Sequence, residues 1–267
     1  MESSDLAIDE IIIDLMIHNE IIFQFKKMKT ILYKSSDRGT ANYGWLQANY
    51  SFSFANYYNP EKLNFGALRV LNDDVIDGGM GFGAHPHDNM EIITIPLKGS
   101  LKHRDSMSNA WISLHTGEVQ VMSAGTGIQH SEMNNHPNEA VNLFQIWVIP
   151  NKENVVPRYD QKAFDTIDRK NKIQTLVTSI DAADSNSLKI HQDVKISRID
   201  MDENTSFEYH LKSENHGVYF MVINGDIKVE NDILEKRDAM GVSQTKSILI
   251  NATKNTELLF IEVPIQF

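Results

Sequence analysis

Gly79-Met-Gly-Phe-Gly-Ala-His85-Pro-His87-Asp-Asn-Met-Glu91 opens, and Ser123-Ala-Gly-Thr-Gly127-Ile-Gln-His130-Ser-Glu132-Met-Asn134 closes, the stretch from which the rest of the chain is placed. Each segment carries one pair of ligand-type side chains at i and i+2, His85-x-His87 and His130-x-Glu132. On a β-strand such residues project to one face. If both pairs lie on strands that face one barrel interior, three imidazoles and a carboxylate converge on a point. Either pair alone is weak. With ten histidines in 267 residues an H-x-H arises readily by chance, and surface loop histidines are the plain alternative. The flanks add weight. The first pair follows the glycines 78, 79, 81 and 83 and precedes Ile92-Ile93-Thr94-Ile95. The second follows the alternating run Glu118–Met122 and the Gly125-x-Gly127 turn. Strand-and-turn punctuation of this kind belongs to a small barrel.

Outward from there, short strands recur between Glu91 and Val148 with turn signals at Lys98-Gly99-Ser100, His115-Thr116-Gly117 and Asn134–Asn138, the pattern of a β-sandwich or barrel. Pro86 has no ladder donor, so its strand should be an edge or carry a bulge. Upstream, Phe65–Leu71 reads as a strand and Asn72-Asp73-Asp74 as a turn. The aromatic run from Trp45 to Tyr58 is expected to pack in the core rather than line a pocket. Pro150–Tyr159 reads as a linker. Beyond it the all-β character repeats in Ile173–Ile180, Lys195–Ile199, Val218–Ile223, Ile227–Val229, Ser247–Ile250 and Leu258–Val263, with a hairpin predicted at Asn224-Gly225-Asp226. His191, His210 and His216 show neither H-x-H nor H-x-E spacing, so no second metal motif is expected.

Composition narrows the function classes. The absence of cysteine excludes disulfides, thiolate metal sites and cysteine nucleophiles. A formal charge of −11 without a basic stripe argues against binding a phosphate backbone. The apolar runs within residues 1–27 are broken by Asp5, Asp9, Glu10, Asp14 and Glu20, far short of the ~20 apolar residues that span a bilayer. No membrane partner is expected, and the acidic start does not suit a secretory leader.

Gly79-x5-His85-x-His87-x3-Glu91-x7-Gly99 is similar to the first cupin motif, with one extra residue before its last glycine. Gly125-x-Gly127-x2-His130-x3-Asn134 resembles the second, with Gly125 at the usual proline position and the leading glycine, Gly117, two residues further upstream. Within the cupins the match narrows to the pirin family. It rests on Asp37-Arg38-Gly39, Phe52–Tyr58, His85-Pro86-His87, His103-x-Asp105-Ser106 and Val119-Gln120-x-Met122-x-Ala124-Gly125-x-Gly127-x-x-His130-Ser131-Glu132, in order along the chain. The resemblance runs from about Met28 to the C-terminus, which favours reading residues 1–27 as an extension ahead of an alternative start.

The resemblance implies an all-β bicupin with two consecutive jelly-roll-like barrels and a metal site in the N-terminal one only. The expected division is 1–27 extension, 28–150 first cupin domain, 151–159 linker and 160–267 second cupin domain. The implied ligands are His85, His87, His130 and Glu132. Glu91, a ligand in many cupins, is left as a barrel residue. His103 is a pocket candidate with an exposed strand-end position as its alternative, Asp105 and Gln145 are supports for ligands, and His18, His115 and His136 are read as surface. Three imidazoles and a carboxylate suit iron, manganese, nickel, copper or zinc, and the family likeness favours Fe(2+). It also implies a quercetin 2,3-dioxygenase, in which Glu132 takes the proton of the flavonol 3-hydroxyl and O2 is the second substrate. An iron-containing, redox-sensing regulatory protein that binds a protein partner is the alternative. A cytoplasmic monomer is expected, without direct contact to nucleic acid.

Overall fold

The structure, a computed structural model, describes residues 28–266. In the first half the strands are β1 (Lys29–Tyr33), β2 (Gly39–Asn42), β3 (Leu46–Tyr50), β4 (Leu68–Ile76), β5 (Gly81–His87), β6 (Glu91–Lys98), β7 (Ser100–Asp105), β8 (Ile112–His115), β9 (Glu118–Ser123), β10 (Ile128–Asn134), β11 (Val141–Val148) and β12 (Arg158–Ala163). In the second they are β13 (Gln174–Ser179), β14 (Leu188–Ile190), β15 (Lys195–Met201), β16 (Ser206–His210), β17 (His216–Asn224), β18 (Ile227–Val229), β19 (Asp232–Leu234), β20 (Ala239–Ser243), β21 (Ser247–Ala252) and β22 (Thr256–Pro264). Two short 3-10 turns are the only helical elements among the described residues. Each half closes a seven-stranded sheet over a four-stranded one. The first pairs β12-β9-β6-β11-β4-β3-β2 with β5-β10-β7-β8, and the second pairs β1-β20-β17-β22-β15-β13-β14 with β16-β21-β18-β19. The expected two-barrel, all-β architecture is what the chain adopts. Residues 1–27 of the expected division, His18 among them, lie outside the described residues.

Period-two burial decides which face carries what. Along β6, Ile93 and Ile95 enter a core shared by both halves, while Ile92 and Thr94 turn to the interior of the first barrel. The shared core joins Phe52, Leu71 and Phe144 of the first half to Leu176, Tyr219 and Ile261 of the second. Its aromatic centre is Tyr219, with ring centroids 5.3 Å from Tyr33 and 5.5 Å from Phe52. The halves also exchange strands. β1 pairs with β20 of the second half, and β12 pairs with β9 of the first. Residues 160–163, placed by sequence beyond the linker, are thus edge residues of the first sheet, and residues 29–33 belong to the second.

Two local expectations are corrected. Asn72-Asp73-Asp74 is no turn but the middle of β4, with all three side chains buried. Asp73 is held there by Arg237 Nε at 2.7 Å and Asn142 Nδ2 at 2.8 Å, so a polar triplet survives inside a sheet. Asn224-Gly225-Asp226 does turn, with Gly225 at φ +85°, yet β17 and β18 lie in different sheets and form no hairpin. Pro86 sits where its missing donor predicts. β5 is the edge of its sheet, and the β5–β10 register stays regular through Pro86, shifting only between the His130–His85 and Glu132–Phe82 pairs.

Candidate metal centre

Register brings the two sequence pairs together. His130 on β10 lies directly opposite His85 on β5, and His87 follows two residues along on the same face. Gly81 permits the approach, because a Cβ there would collide with the Glu132 carbonyl oxygen and stand 2.5 Å from Met133 Cα. The Nε2 of His130 is 2.9 Å from that of His85 and 3.0 Å from that of His87. Two nitrogens bound at right angles, about 2.1 Å from one ion, stand about 3 Å apart. The three rings therefore have the spacing of adjacent ligands around one metal.

Tautomers agree with that use. His85 Nδ1 donates to the Gly83 carbonyl at 2.8 Å, which leaves its Nε2 lone pair on the cluster side. His130 is set by a relay. His103 Nε2 faces Asp105 Oδ2 at 3.1 Å and donates to it, so His103 Nδ1 is the acceptor for His130 Nδ1–H at 3.4 Å. Ring nitrogens this close can share one cation. Burial, reinforced by the neighbouring imidazoles, pushes His87 down to about 4 and His130 down to about 3. Both rings are neutral near pH 7, the form that binds metal.

Glu132 shares the face of β10 with His130, is 3% exposed, and lines the same cavity. Its two oxygens accept from Gln145 Nε2 at 2.8 and 2.7 Å. His85, His87 and His130 have ligand atoms all within 4.8 Å of one another. Glu132 closes to that distance with His130 and His103 instead. The cavity measures about 520 Å³, and Trp45, Phe54, Phe82, Ile92 and Trp147 give it apolar walls. The His87 and Trp147 rings meet near a right angle, with centroids 4.9 Å apart.

Other residues sort by which way their strands turn them. Glu91 points away from the cavity: it alternates with Ile92 and accepts from Ser123 Oγ at 2.7 Å. His103 is fully buried, against the exposed alternative, and stacks on Tyr159 at 4.8 Å. His115 and His136 are exposed. Trp45 and Phe54 line the cavity, against the core expectation for the aromatic run, whereas Tyr50 and Phe52 are buried in core clusters. Sequence reasoning missed Asn72 and Asp74, which also line the cavity. Period-two reading of β4 as an unbroken strand would have put both on the face that bears Ile76.

The Pirin family model matches residues 33–148, and the model of the quercetinase C-terminal cupin domain matches residues 176–263. A quercetin 2,3-dioxygenase of Escherichia coli is 41% identical over 233 residues, covering 87% of this chain and 98% of that protein. A putative quercetin 2,3-dioxygenase of Pseudomonas aeruginosa is 40% identical over 225 residues, covering 84% and 95%. Among solved structures, the bacterial pirin YhhW of Escherichia coli in complex with nickel(II) superposes with a TM-score of 0.82 at 37% identity, over 88% of this chain and 99% of that one.

Proposed function

The chain belongs to the pirin family, and on that premise we propose that it is a metal-dependent dioxygenase that cleaves a flavonol such as quercetin with O2. The observation that carries the reading is the meeting of three imidazole Nε2 atoms on the wall of an apolar cavity of about 520 Å³. In this reading His85, His87, His130 and Glu132 hold one divalent transition metal. Fe(2+) is the preferred ion, and Mn, Ni, Cu and Zn share its liking for imidazole and carboxylate. The nickel(II) of the related YhhW complex accords with that donor set.

Bound there, the ion would supply Lewis-acid polarisation of a substrate hydroxyl. The rest of the work falls to the chain. Trp45, Phe54, Phe82 and Trp147 offer aromatic faces and edges to a flat polyphenol and keep bulk water from it. Glu132 accepts the flavonol 3-hydroxyl proton at a carboxylate oxygen, which requires it to turn from Gln145 toward the rings. The Gln145 amide holds the carboxylate between turnovers. His103 and Asp105 fix the ring plane of His130. An acidic chain gives no long-range attraction to a neutral or anionic flavonol, so affinity comes from the cavity itself. The same reading places the protein in the cytoplasm as a monomer, with no nucleic acid or membrane partner.

Metal analysis of purified protein, followed by an oxygen-electrode assay with quercetin, tests this. Oxygen uptake equal to flavonol loss is the expected result. Iron-loaded protein inert to flavonols would overturn it in favour of a redox-sensing regulatory role. Full metal content in His130→Ala would exclude the ligand set.

A further inference from the structure

The cavity at the histidines has an annex. A second space of about 310 Å³ shares Trp45, Phe54, Phe82, Asn72 and Asp74 with the first, and runs on past Tyr43, Leu46 and Tyr50. The two spaces thus meet at an aromatic collar with two polar side chains in it. Both come from β4, where Asn72, Asp74 and Ile76 share the face turned to the interior of the first barrel.

These two residues are 3% and 4% exposed, and the Oδ1 atom of each is buried without a hydrogen-bond partner. Their neighbour Asp73, on the opposite face, is fully engaged by Arg237 and Asn142. Buried acceptors are almost always paired, and an unpaired one is unfavourable. Two such residues side by side, lining a cavity large enough for a drug-sized molecule, mark where a ligand's polar groups belong.

We propose that Asn72 and Asp74 set substrate specificity by accepting hydrogen bonds from hydroxyls on the pendant ring of a flavonol, seated in the annex while the fused rings lie at the histidine cluster. The inference rests on the flavonol reading of the site and adds a polarity requirement to it. Quercetin carries two adjacent hydroxyls on that ring. Burial, with Asp73 and Glu132 adding to it against Arg38, raises the Asp74 carboxyl to about 8. Near neutrality it carries a proton, so it offers a donor as well as an acceptor to an adjacent diol. Tyr43 and Leu46 flank the ring, and the collar of Trp45, Phe54 and Phe82 fits the flat waist between the two ring systems.

The test compares three flavonols with two, one or no hydroxyls on the pendant ring, on metal-loaded wild type, Asn72→Leu, Asp74→Ala and Asp74→Asn. Both kcat/KM and anaerobic equilibrium binding are measured. Wild type should favour the dihydroxylated compound. Asp74→Ala and Asn72→Leu should raise KM and Kd for it by about tenfold more than for the compound without pendant hydroxyls. Asp74→Asn should recover part of the preference. Metal content and circular dichroism confirm that the variants are folded and loaded. The same order of preference in Asp74→Ala and Asn72→Leu as in wild type would overturn the proposal. If wild type turns over none of the three, the dioxygenase reading fails, and the binding ratio alone then upholds or overturns the role of Asn72 and Asp74.

Discussion

At the scale of single residues the site depends on proton placement as much as on donor count. Asp105 makes His103 Nε2 a donor, which makes His103 Nδ1 an acceptor and leaves His130 Nε2 free to face the cluster. Asp105→Asn keeps the Oδ1 that accepts from Met107 N and Ser108 N, so its loop should stand. An amide donor facing His103 Nε2 would reverse the relay and set two N–H groups against each other at His130. We expect metal affinity to fall about 10–100-fold with the far-ultraviolet spectrum unchanged, as read by competition with a chelator. In the proposed mechanism Glu132→Gln removes the proton acceptor but leaves an oxygen ligand. Quercetin turnover should drop by more than metal occupancy does, and equal losses would leave Glu132 a ligand only. The i, i+2 pairs made His85, His87, His130 and Glu132 legible in the sequence. The role of His103 was not, because burial of a histidine beside a stacked Tyr159 is a product of β12 folding back on β9.

At the scale of elements, the edge strand β5 carries two of the three imidazoles and has hydrogen-bonded neighbours on one side only. Its fit against β10 hangs on glycine at 81. Gly81→Ala must push the two backbones apart, a cost of about 1–3 kcal/mol, whereas a Cβ at Gly83 meets nothing within 4 Å. Thermal melts should show a clear loss of stability and metal for Gly81→Ala and little change for Gly83→Ala. If the two variants melt alike, close packing at this edge is not what holds the histidines in register. The sequence marks β5 and β10 clearly, since glycines and alternation bound them. It hides β4. Three polar residues in a row read as a turn unless one knows that Arg237, 164 positions away, will pair with the middle one.

At the scale of the whole molecule, the two barrels are one folding problem. The linker and domain limits were the least legible part of the sequence, because strand exchange is a long-range choice without a local signature. Glu91 illustrates how the shared region is tuned. It is 1% exposed, and burial raises it to about 7 from 4.5. Between those two pH values the folded chain keeps a proton that the unfolded chain has released, so this group's contribution to stability is lost as pH rises through about 7. Glu91→Gln does not ionise. Its melting temperature relative to wild type should therefore become more favourable from pH 5 to pH 8, and a difference independent of pH would show that Glu91 is ionised throughout.

Interlacing of this kind leaves no expendable half. A methyl group at Gly241 would stand 2.6 Å from the Phe65 ring, and one at Gly217 would stand 2.8 Å from it. Such lesions fall outside the cavity lining, yet by disturbing the core that both halves share they would lower the amount of folded protein. A genetic screen scored on flavonol consumption alone would rank them beside the histidines, and only a parallel measure of abundance would tell scaffold from chemistry.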